Sequence, residues 1–235
     1  MLATAVSSRP APPMARALAL YANAAPSARL HVHARHRLCP MERIAERVPL
    51  EGRVLDVGCG HGLFSNLLAL ESPRRQVVGV DPMASKIAVA VRAARDLPNA
   101  RYVVGTADTI AERGAERGYD VVTILDVLYL LPPPAKRALL ERCRALLAPG
   151  GLLLLKTNDR APRWKYLWAR TEEQVMTALG LTEGQGLYFY NAAENRALLA
   201  AAGFEAEVVR LDNWLPYPHV LFVARPAAGH PESRP

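Results

Sequence analysis

The sequence predicts one α/β domain: a doubly wound, mainly parallel seven-stranded sheet with a reversed final strand, preceded by helices. Three observations carry this. From Arg53 onward short β-rich runs alternate with helical patterns, the order expected of crossover connections. One early strand runs directly into a glycine-dense turn, Gly58–Gly62. The last two strands are joined by about eight residues containing Pro216 and Pro218, too short for a crossover helix, so they must pair antiparallel. With 235 residues, 51% of them hydrophobic, the chain can bury one sizeable core.

In order, strands are predicted at Arg53–Val57, Gln76–Val80, Arg101–Val104, Val121–Leu125 and Leu152–Lys156. Each is a short run of β-branched or aliphatic residues bounded by polar or glycine punctuation. Helices are predicted at Leu63–Glu71, Met83–Asp96, Asp108–Arg113 and Pro134–Leu147, the last opening after a proline cluster and stopping at Pro149-Gly150-Gly151. A helix at Ala192–Ala202 and strands at Glu205–Leu211 and Val220–Ala224 complete the sheet. If the sixth strand is parallel to the first five, its carboxyl end lies on the edge where open α/β sheets hold ligands, and the loop Asp212–His219 overlooks the site.

The division expected is a flexible basic segment over residues 1–27, a domain over 28–225 with a helical cap (28–50) and a lid or insert (157–191), and a disordered tail over 226–235. An organellar transit peptide, or translation from Met14, is the alternative reading of the N-terminus. No apolar run reaches the roughly 20 residues of a membrane span; Val121–Leu131 is interrupted by Asp126 and ends at Pro132. Cys39, Cys59 and Cys143 are too few and scattered for a disulfide framework or zinc knuckle, so a cytoplasmic location is expected. The net charge of +7 is uneven: Arg9, Arg16, Arg29, Arg35 and Arg37 precede the first acidic residue, Glu42, leaving only +2 beyond. A nearly neutral body disfavours a nucleic-acid face, whereas peripheral contact with a membrane remains compatible with the basic start.

The sharpest local signal is Val54-Leu55-Asp56-Val57-Gly58-Cys59-Gly60-His61-Gly62-Leu63-Phe64-Ser65, a buried strand, a glycine turn and a helix start. Glycines let the backbone pass close beneath a ligand, and the helix offers unpaired N–H groups to an anion. Asp81 closes the second strand, where a carboxylate can take both hydroxyls of a ribose, while Asp108 and Asp126 follow the third and fourth strands. A nicotinamide site favours G-x-G-x-x-G; here the spacing is G-x-G-x-G with Asp56 just ahead, a poor setting for a pyrophosphate and a better one for a zwitterionic amino acid bearing a sulfonium.

Asp56–Gly62, Asp81, Asp108, the segment Ile124-Leu125-Asp126-Val127-Leu128-Tyr129 and the turn Leu147-Ala148-Pro149-Gly150-Gly151 together resemble the class I S-adenosylmethionine (SAM)-dependent methyltransferases, over roughly Arg53–Arg225. The resemblance implies a Rossmann-like fold and SAM as cofactor. It implies that Asp56, Gly58, Cys59, Gly60 and Gly62 hold the methionine portion, that Asp81 takes the ribose hydroxyls, and that Pro82, Met83, Ala107 and Asp108 meet the adenine. Leu125 and Asp126 would lie beside the methyl donor.

Methyl transfer mainly requires alignment in a water-poor pocket, with a base needed only for a weakly acidic hydroxyl or a protonated amine. Neither an Asn/Asp-Pro-Pro-Tyr/Phe segment nor a Pro-Cys follows the fourth strand. A small or lipid-like metabolite is therefore the expected acceptor, at oxygen, nitrogen or carbon. An RNA or protein methyltransferase, or an inactive SAM-binding partner protein, is the alternative. Three segments are candidates for the acceptor pocket: Thr157–Trp168, Asp212–His219 and the N-terminal helices. His219 is the candidate base, with Tyr129 and Asp126 as further catalytic candidates. Trp164, Trp168 and Trp214 are candidates for an apolar wall. His31, His33 and His36 have spacing that suits a basic helix over the substrate better than a metal site, so no metal is expected.

Overall fold

The computed structural model describes residues 11–112, 118–160, 163–164, 166–167, 170–171, 174, 187–211 and 217–228. Three helices come first: α1 (Pro13–Ala19), α2 (Pro26–Leu38) and α3 (Met41–Ala45). Strands and helices then alternate as β1 (Gly52–Val57), α4 (Leu63–Glu71), β2 (Arg75–Asp81), α5 (Ala84–Ala93), β3 (Ala100–Val104), α6 (Ala107–Glu112) and β4 (Tyr119–Leu125). A single 3₁₀ turn (Leu128–Leu130), α7 (Pro133–Leu146), β5 (Leu147–Asn158), α8 (Ala192–Ala201), β6 (Phe204–Arg210) and β7 (His219–Pro226) follow.

The strand order is β3-β2-β1-β4-β5-β7-β6. The pairs among β1 to β5 are parallel, and β7 runs antiparallel to both β5 and β6. The reversed final strand is thus inserted between β5 and β6, which leaves β6 parallel to the rest. Alternation along each strand sends side chains to two separate cores. Val54, Val121 and Leu154 meet α1–α5 on one face, while Leu55, Val122 and Leu155 meet α6–α8 on the other. Each fully buried aliphatic side chain contributes roughly 1.5–3 kcal/mol, so both faces are needed to hold the layers.

Local signals set the boundaries. Pro26 and Pro133 occupy the first turns of α2 and α7, where a missing N–H costs nothing. Asn191 and Glu194 form a reciprocal capping box at α8. The strand β5 begins earlier than expected: Leu147 already pairs with Tyr119, and the register shifts before Leu152 meets Val121, so the Pro-Gly-Gly turn is an irregularity within the paired chain.

The flexible N-terminal segment is corrected in part. Residues 1–10 lie outside the described residues, but α1 packs on α4 through buried Met14 and Ala17, and Tyr21 is buried behind it. Apolar side chains at 14, 17 and 21 share one helical face, which explains why a compositionally basic stretch is ordered. The tail begins later than expected, because Pro226 ends β7 and the Ala227 N–H donates to the Gly203 carbonyl; residues 229–235, and most of the expected insert, lie outside the described residues.

Candidate active site

The carboxyl ends of β1, β2, β4 and β5 and the start of β7 meet at one edge of the sheet, on either side of the point where strand order reverses between β1 and β4. A cavity of about 300 Å³ opens there, roofed by α2.

Its first half is made mostly of backbone. Gly58, Gly60 and Gly62 have φ of +74°, +56° and +80°, conformations that favour glycine. A Cβ on Gly58 would strike the Val127 side chain, whereas one on Gly60 would meet nothing and would project into open space. Gly62 caps α4 without a side-chain hydrogen bond, so the first turn of the helix presents uncapped N–H groups beside the cavity-lining Leu63 and Phe64. The turn is braced from below. Tyr21 donates to the His61 carbonyl (2.7 Å) and accepts from Asn66, while Tyr102 donates to Asn66 Oδ1 (2.7 Å). Asp56 accepts from Ser65 (2.6 Å) and Thr123 (2.7 Å); burial pushes its carboxyl up against these two hydrogen bonds. Asp81 lines the cavity and accepts from the Gly60 and Met83 N–H groups, both at 2.9 Å. Each of its oxygens retains a lone pair for a ribose hydroxyl.

The second half is made of buried side chains. Asp126 sits left-handed at φ 61°, uncommon for any residue but glycine yet tolerated by aspartate. That turn directs its carboxylate to Lys156 Nζ at 2.6 Å and Arg35 Nη1 at 2.9 Å. Burial raises the Asp126 pKa, but Lys156 and Arg35 outweigh it and hold the group well below the usual carboxylate range. His219 is also buried; its Nδ1 lies 3.0 Å from Asn158 Oδ1, and among the described residues its Nε2 has no hydrogen-bond partner. With Oδ1 as acceptor, Nδ1 carries the proton and Nε2 keeps its lone pair. Burial and then Lys156 push His219 down to about 2, against Asp126 and the Leu38 carbonyl. The ring therefore reaches the cavity as expected, but as a neutral group far less basic than a base working near neutrality should be.

Tyr129 lines the cavity and stacks on Phe189 at 4.5 Å, and its carbonyl accepts from the Tyr188 N–H at 2.7 Å. Lys136, at the start of α7, donates to the Tyr188 carbonyl and lies over the Tyr190 ring at 3.7 Å; burial lowers it to about 8. This fastens residues 188–190 beside the site.

Of the expected residues, Asp56, Gly58, Cys59, Gly60, Asp81, Pro82, Met83, Leu125, Asp126, Tyr129 and His219 line the one cavity. Three do not. Gly62 faces the Tyr102 ring. Ala107 is buried in the core beneath α6, and Asp108, 62% exposed at its side chain, pairs with Arg142 of α7 at 2.7 Å. Neither residue is among those lining the cavity, so the adenine contacts expected of Ala107 and Asp108 stay an expectation of the sequence. Trp164 is exposed, and Trp168 and Trp214 lie outside the described residues. His31 faces His61 at 4.8 Å between centroids; burial lowers them to about 3 and about 4. Arg35 and Lys156 were missed. For Arg35 a signal existed: it continues the buried spacing of Ala28, Val32 and Cys39 on α2.

A family model described as a methyltransferase domain matches residues 31–209. A ubiquinone biosynthesis O-methyltransferase from Xylella fastidiosa is 32% identical over 185 residues, covering 76% of this chain and 74% of its own. Among solved structures, a candidate O-methyltransferase from Nostoc punctiforme aligns with a TM-score of 0.64 and 25% identity over 78% of this chain and 55% of its own. The O-methyltransferase NcsB1 from neocarzinostatin biosynthesis, solved with SAM and 2-hydroxy-5-methyl naphthoic acid, aligns at 0.64 and 20% over 85% and 56%. The chain spans about half the length of these two structures, and the second shares the fold alone. The open space over Gly60, the uncapped helix start and the doubly held Asp81 fit SAM. This chain belongs to the class I SAM-dependent methyltransferases, enzymes here of the small-molecule type, with SAM as cofactor.

Proposed function

We propose that the enzyme methylates an oxygen atom of a small, hydroxylated or lipid-like metabolite enclosed beneath α2. The observation carrying this reading is that the glycine turn with Asp81 and the largely buried Arg35–Asp126–Lys156 cluster, with Arg35 half-buried, line the same cavity. Gly58 and Gly60 would seat the methionine part, with Asp56 bracing the turn. Asp81 would hold the ribose, Pro82 and Met83 would border the adenine, and Leu125 and Asp126 would flank the transferred methyl. SAM supplies a methyl group on positively charged sulfur, activated for in-line displacement by a nucleophile. His219, neutral, would accept a hydrogen bond from the acceptor and orient it, and Tyr129 would form part of the wall.

Oxygen is favoured because the Xylella and NcsB1 proteins are named O-methyltransferases. A polymer acceptor is disfavoured by the near-neutral body of the chain. No described helix is long and apolar enough to cross a membrane; we place the enzyme in the cytoplasm, with its basic N-terminal helices able to meet an anionic surface.

The test is incubation with methyl-labelled SAM and separate pools of small phenols, hydroxy acids, long-chain hydroxylated lipids, RNA and protein. Label in a small-molecule or lipid pool is expected. Label confined to RNA or protein would replace this reading, and SAM binding without transfer to any pool would favour a regulatory protein.

A further inference from the structure

We infer that the acceptor carries an anionic oxygen and that Lys156, with Arg35, forms the subsite that receives it; this rests on the methyl-transfer reading above. The argument is one of unmatched donors. Lys156 has a side chain only 1% exposed, and Asp126 is its sole hydrogen-bonding partner among the described residues. Among the described residues Arg35 likewise donates only to Asp126. Two cations therefore share one carboxylate, and both residues line the cavity. Burying an ammonium costs several kcal/mol unless its hydrogen bonds are completed, so a fold that keeps Lys156 inside leaves a place for another acceptor atom.

Neighbouring groups do not fill that place. Asp56 directs its oxygens to Ser65 and Thr123. His219 is neutral and bound to Asn158. Asp81 is turned toward Gly60 and Met83. The cluster itself carries one positive charge in excess, so a carboxylate or phenolate is the chemistry that completes it.

The experiment uses the protein saturated with S-adenosylhomocysteine, titrated calorimetrically with 2-hydroxybenzoate and dodecanoate, each against its own neutral amide. At least one carboxylate should bind about tenfold or more tighter than its amide, and the preference should shrink to below about threefold in Lys156→Met. Arg35→Gln, nearer the surface, serves as the second variant should Lys156→Met fold poorly. Equal binding of acid and amide, binding of neither carboxylate, or a preference retained in the variant would overturn the subsite. A loss of S-adenosylhomocysteine affinity in either variant would also overturn it, by assigning the cations to the cofactor. Failure of the unaltered protein to bind S-adenosylhomocysteine would instead contradict the methyl-transfer reading itself.

Discussion

The two halves of the cavity solve the same problem, holding a polar ligand in a dry place, with opposite materials. The glycine-turn half uses backbone amides, glycine conformations and one aspartate, braced by the neutral side chains of Tyr21, Asn66, Tyr102, Ser65 and Thr123. The acceptor half concentrates Arg35, Asp126 and Lys156 from α2, the β4 exit and β5. A backbone cradle costs little when empty, because its N–H groups can pair with other backbone atoms. A buried ion cluster is tense when incomplete, because each charge depends on the others. The first half should therefore tolerate the loss of one side chain with only its affinity altered, whereas the second should lose stability.

Breaking the second half gives the largest expected effect. Asp126→Ala removes the common counter-ion of buried Lys156 and half-buried Arg35 and should lower stability by about 3–5 kcal/mol, read from urea unfolding. A loss below about 1 kcal/mol would mean the cations are better solvated than their burial implies.

A smaller effect follows from pH. His31, His61 and His219 have an ordinary value of 6.5 but are held down to about 3, about 4 and about 2. The unfolded chain therefore takes up protons below pH 6.5 that the folded chain refuses. Stability present above 6.5 is lost as pH falls toward the folded values, by at most about 2 kcal/mol per histidine between pH 7 and 5. Thermal melts across that interval should show the decline, and replacing His219 by Gln should flatten part of it. An unchanged melting temperature from pH 7 to 5 would contradict the neutral state of these rings.

The contrast also explains what could be read in the amino-acid sequence. Most of the glycine half is one contiguous strand, turn and helix, and Asp81 closes the next strand, so Gly58, Gly60 and Asp81 could be picked out from local spacing and its context. The antiparallel end followed from the short link before β7, whereas the strand order and the division into two cores emerge only in three dimensions. The acceptor half comes together only in three dimensions. Arg35 lies among Arg29, His33, His36 and Arg37, and only its place in the stripe of Ala28 and Val32 distinguishes it. Lys156 follows Leu152–Leu155 as if it were the polar end of a buried strand. Asp108 follows β3 as expected, but its pairing with Arg142 of α7, outside the cavity lining, is a long-range contact that its position in the sequence does not reveal. His219 was placed correctly by topology, but its basicity depends on burial and on Lys156, which spacing does not reveal.

The central claim is that Asp81 and the glycine turn bind SAM in this cavity. Calorimetric titration of the unaltered protein and of Asp81→Ala with SAM, with NAD as control, tests it most directly. Saturable SAM binding that weakens about 30-fold or more in the variant, consistent with loss of charge-assisted hydrogen bonds worth roughly 2–3 kcal/mol, together with no NAD binding, is the predicted result. Unchanged SAM affinity in Asp81→Ala, or binding of NAD in place of SAM, would contradict it.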